Sequence, residues 1–288
     1  MTAGLLVTLA LHGLAIGMLL FLIASGLSLI FGLMNILNFA HGSIFMWGAY
    51  LGMAAYVNTG SLALALLAGG GAGALIGFLM EYFTIRPLYQ RHIYQILLTL
   101  GLMLVLDELL KAVWGPAVMS FPKPGWLAGG VAVLGRDFPV YRLFIIAVGL
   151  LVLAGMHFFL TRSKTGIIIR AGVENAEMVQ ALGINVRRVF TLVFGLGAAL
   201  AALGGVVAGP LIGLYPQMGL DYQLSAFIVV VLGGLGSFAG SAVGSVLVGL
   251  SQSFVGYYFP QGAMALNVVL MAAVLLIRPE GLFGTRKG

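Results

Sequence analysis

Residues 4–33 run for 30 positions without one charged side chain. About 20 apolar residues suffice to cross the roughly 30 Å hydrocarbon core of a bilayer, so this run reads as a transmembrane helix with residues to spare. No Lys or Arg precedes it and it is far longer than a signal-peptide core, so it is expected to be retained as the first membrane helix. The rest of the chain agrees: 8% of its residues are charged, against roughly 25% in soluble domains, which excludes a soluble globular fold. The apolar residues come in long runs and not in the two-residue alternation of an outer-membrane barrel. The 43 glycines suit helices whose backbones approach closely. The expected fold is an all-α polytopic membrane protein.

Apolar runs read as helices over about residues 5–33, 43–57, 62–84, 93–114, 140–160, 189–213, 224–258 and 264–278, which makes about eight transmembrane segments in a single domain over 1–288. No hydrophilic stretch exceeds roughly 30 residues, too short for a soluble catalytic or nucleotide-binding domain. Any energy source therefore lies on another chain. The absence of cysteine removes disulfides, thiolate nucleophiles and thiolate metal sites. Arg86, Arg91, Arg162, Lys164, Arg170, Arg187, Arg188, Arg278, Arg286 and Lys287, ten of the 14 basic residues, fall in three segments: 85–92, 161–188 and the tail from 278. The positive-inside rule puts these in the cytoplasm. Even parity between the 161–188 loop and the tail requires 222–259 to fold back, because its 38 residues would span about 57 Å as one helix. The glycines of LGGLGSFAGS over 232–241 allow that reversal. Counting back places the N-terminus outside and the C-terminus in the cytoplasm.

The first 57 residues repeat this anatomy, with a long run, a break at MNILNFAHG over 34–42 and a short run. Non-helical backbone at membrane depth is tolerated only where it faces protein or a wet path. The fold therefore includes two broken or re-entrant regions. Asn35, Asn38, His41 and Ser43 of the first, and Gly233, Gly234, Gly236 and Ser237 of the second, are candidates to line a translocation path. Helix capping is the competing role for the Asn and His residues. The likeness of FAHGS at 39–43 to FAGS at 238–241 leaves room for an internal repeat. Asp107 and Lys111 stand at i, i+4 spacing near a helix end, and Glu81 precedes Arg86; both read as interfacial ion pairs. Gly69, Gly73 and Gly77, and again Gly236, Gly240 and Gly244, read as small-residue packing stripes. The sequence carries no buried series of ionisable residues for an ion relay, and no phosphate-binding loop, nucleophile elbow or metalloprotease motif.

In the 161–188 loop, residues 174–182 are good helix formers with acids at the start, and Gly183 follows as a stop. They predict a short amphipathic helix along the membrane surface. Its apolar residues, Ala171, Met178, Ala181 and Leu182, suit either a groove on a cytoplasmic partner or lipid.

ENAEMVQALGIN over 174–185 resembles the cytoplasmic coupling loop of ABC importer permeases in its branched-chain amino-acid version. SGLSLIFGLMNILNFAHGS over 25–43, GAY at 48–50, RPL at 86–88, the glycine motif at 232–241 and RPEGLFG over 278–284 are similar to signatures of the same family, in family order, and favour its H-type over its M-type subunit. The loop lacks the late Ile-x-Leu-Pro of the general consensus. The resemblance implies a complex of this chain with a second permease, two ATP-binding subunits and a periplasmic or extracellular solute-binding protein, in a bacterial or archaeal plasma membrane, with no nucleic acid partner. ATP and magnesium would sit at the partner subunits and no cofactor on this chain, which makes it a non-enzymatic transport subunit. Branched-chain amino acids are the foremost solutes so implied, with urea, short amides and aromatic compounds as others. Glu174, Asn175, Ala176, Glu177, Met178, Ala181, Leu182 and Gly183 would then couple to the ATPase. Lys123, Trp126, Arg136 and Asp137 of the extended, exposed 115–139 loop would meet the binding protein. A stand-alone channel or secondary transporter of neutral solutes is the reading from another class.

Overall fold

The computed structural model describes residues 3–89 and 91–284; Arg286 and Lys287, counted above among the cytoplasmic charges, lie outside the described residues. The helices are α1 (Ala3–Met34), α2 (His41–Thr59), α3 (Leu62–Leu79), α4 (His92–Trp114), α5 (Val140–Arg162), α6 (Lys164–Glu174), α7 (Ala176–Ala181), α8 (Val186–Ile212), α9 (Met218–Gly233), α10 (Phe238–Tyr258) and α11 (Ala263–Ile277). Five helical segments are long and apolar enough to cross a membrane: α1, α3 with its continuation to Leu88, α5, α8 and α10. Met218–Gly233 and Ala265–Ile277 are shorter apolar helices.

The uncharged first run is the central post of the bundle: 83% of its most apolar window is buried inside the protein. Lipid is as apolar as leucine, so close approach of backbones decides which helix goes to the centre. Glycine provides that approach. A Cβ at Gly13 would stand 2.7 Å from Leu250 Cα, one at Gly17 would stand 2.8 Å from the Ser245 carbonyl oxygen, and one at Gly26 would overlap the Gly197 carbonyl. Thus α10 and α8 clamp α1 from two sides. The expected stripe of Gly69, Gly73 and Gly77 meets Val206, Ala202 and Ala198 of α8.

Beyond Leu79 the third helix widens into a π-helical stretch, Met80–Ile85, and closes with the 3₁₀ turn Arg86–Leu88. Pro87 lacks an N–H and crowds the preceding turn, which accounts for the loss of α-helical bonding there. The 115–139 loop is not simply extended: β1 (Gly130–Val133) and β2 (Arg136–Pro139) pair antiparallel, Val133 opposite Arg136. Leu134 and Gly135 at its tip have φ of 49° and 79°, the positive values that a tight two-residue hairpin turn requires. The hairpin lies beside the start of α1, where a Cβ at Gly4 would come within 2.9 Å of the Leu134 carbonyl oxygen. This defines the hairpin end of the bundle. The opposite, loop end carries α6 and α7, where Gly172 stands against Leu33.

Candidate functional site

Two long helices each give way to a segment that doubles back into the bundle. After α1, residues 35–40 turn with Asn35 at φ 57°, and His41 at the start of α2 brings its Nε2 3.1 Å from the Ile23 carbonyl oxygen. Ile23 lies roughly 16 Å of helical rise back from Met34, so α2 starts deep within the bundle. After α8, residues 213–217 also turn back, with Gly213 at φ 76°, and α9 starts against α2. A Cβ at Gly42 would overlap the Gly219 carbonyl, and one at Gly219 would lie 2.9 Å from the Gly42 carbonyl oxygen. The two short helices therefore meet N-terminus to N-terminus. The first amides of each, Gly42 and Ser43, Gly219 and Leu220, have no acceptor within their own helix, and the positive ends of both dipoles converge.

The polar side chains at this meeting point are held in defined orientations. Asn38 Oδ1 accepts from the Ala40 N–H at 3.1 Å, and the Asn38 carbonyl accepts from Gln223 Nε2 of α9 at 3.1 Å. The Ile23 carbonyl can only accept, which makes Nε2 the protonated nitrogen of His41. Asn38 Nδ2, His41 Nδ1 and Gln223 Oε1 are buried and have no hydrogen-bond partner among the described residues. These unpaired groups, one donor and two acceptors, belong to the segment and the two short helices that meet at Gly42 and Gly219. Ser43 faces elsewhere, donating to Asp107 Oδ1 of α4 at 2.6 Å. This corrects the expected Asp107–Lys111 pair: Lys111 bonds Glu108 at 2.6 Å, because α2 presents a hydroxyl to Asp107 within the bundle. Asn35 is exposed at the loop end and lines a cavity of about 1150 Å³ with Arg86, Arg91, His92 and Arg187. Gln223 escaped the sequence reading, because it stands among Asp221, Tyr222 and Ser225, just ahead of the apolar run read from 224.

The second predicted break is a turn at the loop end, away from Asn38 and His41. Gly234 and Gly236 have φ of 106° and 83°, Gly236 abuts Gly32 of α1, and Ser237 caps α10 by accepting from the Gly240 N–H at 3.0 Å. The C-terminal segment closes over it, with the Leu282 and Phe283 N–H groups donating to the Leu232 and Gly233 carbonyls at 3.0 and 2.9 Å. The counterpart of the first break is thus 213–217. The likeness of the FAHGS and FAGS strings does not correspond to a structural pairing, because one opens a short helix in the interior and the other opens α10 under the tail.

At the loop end, the amphipathic helix is divided. Asn175, at φ −155°, ends α6 and caps α7 by accepting from the Met178 N–H at 2.9 Å. An Asn side chain competes for backbone amides, and that interrupts the single helix expected over 174–182. Val179 points into the protein at 4% exposure, while Met178 and Leu182 stand out at 59% and 73%. Glu174, Glu177 and Ala181 are exposed and Ala176 half-buried, and Gly183 has the expected positive φ, 81°. At the hairpin end, Lys123, Trp126, Arg136 and Asp137 are all exposed.

Glu81 departs from its expected pairing with Arg86. It is fully buried in the π-helical stretch and accepts from the Tyr89 hydroxyl, while Arg86 lies over the Tyr82 ring at 5.1 Å. Burial first, then the bond to Glu81, raises the Tyr89 pKa well above its ordinary value, so the hydroxyl stays protonated and donating. Tyr89→Phe should leave a buried carboxylate without this donor and cost about 1–3 kcal/mol. Thermal unfolding of the detergent-extracted protein checks this; an unchanged midpoint would show that Glu81 finds another partner.

Among the described residues no group of three or more His, Cys, Asp or Glu is placed to hold a metal ion. Interrupted helices around a buried post, with their exposed polar segments gathered at the two ends, define a polytopic all-α membrane protein. Residues 9–278 match the family described as branched-chain amino acid transport system / permease component, and the chain belongs to that family. It is 31% identical to the high-affinity branched-chain amino acid transport system permease protein BraD of Pseudomonas aeruginosa, over 95% of this chain and 94% of that one. It is 28% identical to the permease protein LivH of Escherichia coli over the same shares. With the probable LivH of Methanocaldococcus jannaschii it shares 29% identity over 92% of this chain and 89% of the relative.

Proposed function

We propose that this chain is the H-type permease subunit of an ABC importer carrying branched-chain amino acids inward, with ATP hydrolysed on separate subunits. The family match over 9–278 carries the reading, and relatives named as branched-chain amino acid permeases over nearly their full length support it. The meeting point of α2 and α9 is the solute's mid-membrane station: the helix N-termini and Asn38 Nδ2 take the carboxylate, and Gln223 Oε1 and His41 Nδ1 take the ammonium. The surrounding apolar helices suit an aliphatic side chain. Gly233, Gly234, Gly236 and Ser237 contribute as a loop-end closure of the path. A second permease, two ATPases carrying ATP and magnesium, and a solute-binding protein complete the machine. In the plasma membrane the hairpin end faces outward, offering Lys123, Trp126, Arg136 and Asp137 to the binding protein, and the loop end faces the cytoplasm.

Reconstitution of the permease pair with its ATPases and binding protein tests this. Leucine uptake that requires both ATP and binding protein is expected; uptake by this subunit alone in ATP-free vesicles would favour a stand-alone channel. The coupling helix supplies a sharper test. Met178, Ala181 and Leu182 are exposed, with α7 ending at a left-handed Gly183. Gly183→Val should cost about 1 kcal/mol or more locally and turn the helix off its partner. Transport should fall while membrane insertion survives; transport still coupled to hydrolysis in that variant would remove α7 from the ATPase interface.

A further inference from the structure

A second cavity, of about 340 Å³, lies between α1, α5, α8, α9 and α10 near the hairpin end. Leu19, Leu20 and Ile212 form its aliphatic wall, and Arg142, Tyr222, Ser225 and Gln252 its polar one. Arg142 is half-buried, and among the described residues it makes neither an ion pair nor a hydrogen bond. A cation set in an apolar bundle without a counter-charge is costly and marks a functional group by default. Its place is fixed by its neighbour, since the Tyr141 hydroxyl donates to the Val207 carbonyl of α8 at 2.8 Å and pins the first turn of α5. Two other lining groups can accept. Ser225 gives its proton to the Asp221 carbonyl and keeps its lone pairs, and Gln252 offers a carbonyl oxygen. The Tyr222 ring stacks on Phe45 of α2 at 4.9 Å between centroids, so the cavity abuts the opening turns of α2.

We propose that this cavity is an outer waiting site for an aliphatic amino acid, between delivery at the hairpin end and the meeting point of α2 and α9. Arg142 binds the carboxylate through its planar fork, Ser225 and Gln252 accept from the ammonium, and Leu19, Leu20 and Ile212 hold the side chain. The proposal rests on the functional reading above and adds a residue and a subsite that decide for carboxylate-bearing solutes over amides.

The test measures radiolabelled leucine binding to the purified permease–ATPase complex without binding protein, alongside leucine transport by the complete system. Wild type should bind saturably, with no competition from leucinamide or inorganic phosphate. Arg142→Gln should weaken binding at least tenfold, Arg142→Lys, which keeps the charge and loses the fork, by a smaller factor, and Leu19→Trp, which fills the cavity and leaves the cation, should abolish it. Unweakened binding by Arg142→Gln, or transport of leucine with no binding by the wild-type complex, overturns the waiting site alone. Displacement by inorganic phosphate reassigns the cation to phosphate-bearing ligands and overturns it too. A wild-type complex that transports no branched-chain amino acid overturns the functional reading, and the waiting site with it.

Discussion

Gly42→Val should eliminate transport and most of the extractable folded protein, whereas Gly71→Val should leave both near wild type. The two substitutions add the same three carbons to a glycine of an apolar helix, and differ only in what the carbons meet. At Gly42 the new Cβ would overlap the Gly219 carbonyl and come 2.7 Å from Gln223 Cβ; at Gly71 it meets nothing within 4 Å. The obstacle at Gly42 is backbone, which cannot rotate away. Overpacking a core usually costs about 1–3 kcal/mol, and more where nothing can shift. To accept the valine, α2 and α9 must separate and the convergent N-termini be lost. Size-exclusion profiles of the extracted complex, read beside leucine uptake, measure both effects. Equal behaviour of the two variants would mean that α2 and α9 do not meet at Gly42.

The same pair of glycines shows where the sequence stops being informative. Hydropathy located most of the long apolar helices to within a few residues, because charge is excluded from lipid whatever the tertiary arrangement. The break at 34–42 was legible for a local reason as well: two asparagines, a histidine and a glycine interrupt an apolar run. Gly183 was legible because a helix stop with positive φ calls for glycine. Pairing was not legible. Whether Gly42 faces Gly219 or lipid depends on which helices are neighbours, and an apolar surface has no preference between lipid and an equally apolar partner. The start of α9 at Met218, six residues ahead of the expected 224, was signalled by Gly213 and Pro216, but these resemble any outer loop until α9 is seen to turn inward. Likewise Arg142 had no part in the sequence reading, because only the cavity beside it sets it apart from any other cation at a helix start.

The re-entrant segment itself gives the other large effect. Asn38 has no exposed surface and its carbonyl is bound by Gln223 Nε2. A cysteine placed there in this cysteine-free chain should be inert to a small polar thiol reagent in the resting complex, and Cys at the exposed Asn35 should react throughout. If solute passes between α2 and α9, the contact must open during the cycle, so trapping the ATPases with nucleotide should raise labelling at 38 by at least tenfold. Gln223→Leu removes the donor and leaves a buried carbonyl unpaired, at a cost of about 1–3 kcal/mol. That is a factor of roughly five to more than a hundred in the closed-to-open ratio, since 1.4 kcal/mol is tenfold. In this background position 38 should label without nucleotide, and uptake should lose its tight dependence on ATP. A position 38 that stays inert in every nucleotide state, with and without Gln223, would mean that the 35–40 segment is a sealed packing element. Asn38 and His41 would then cap and brace α2, and the solute would have to cross elsewhere in the assembled pair of permeases.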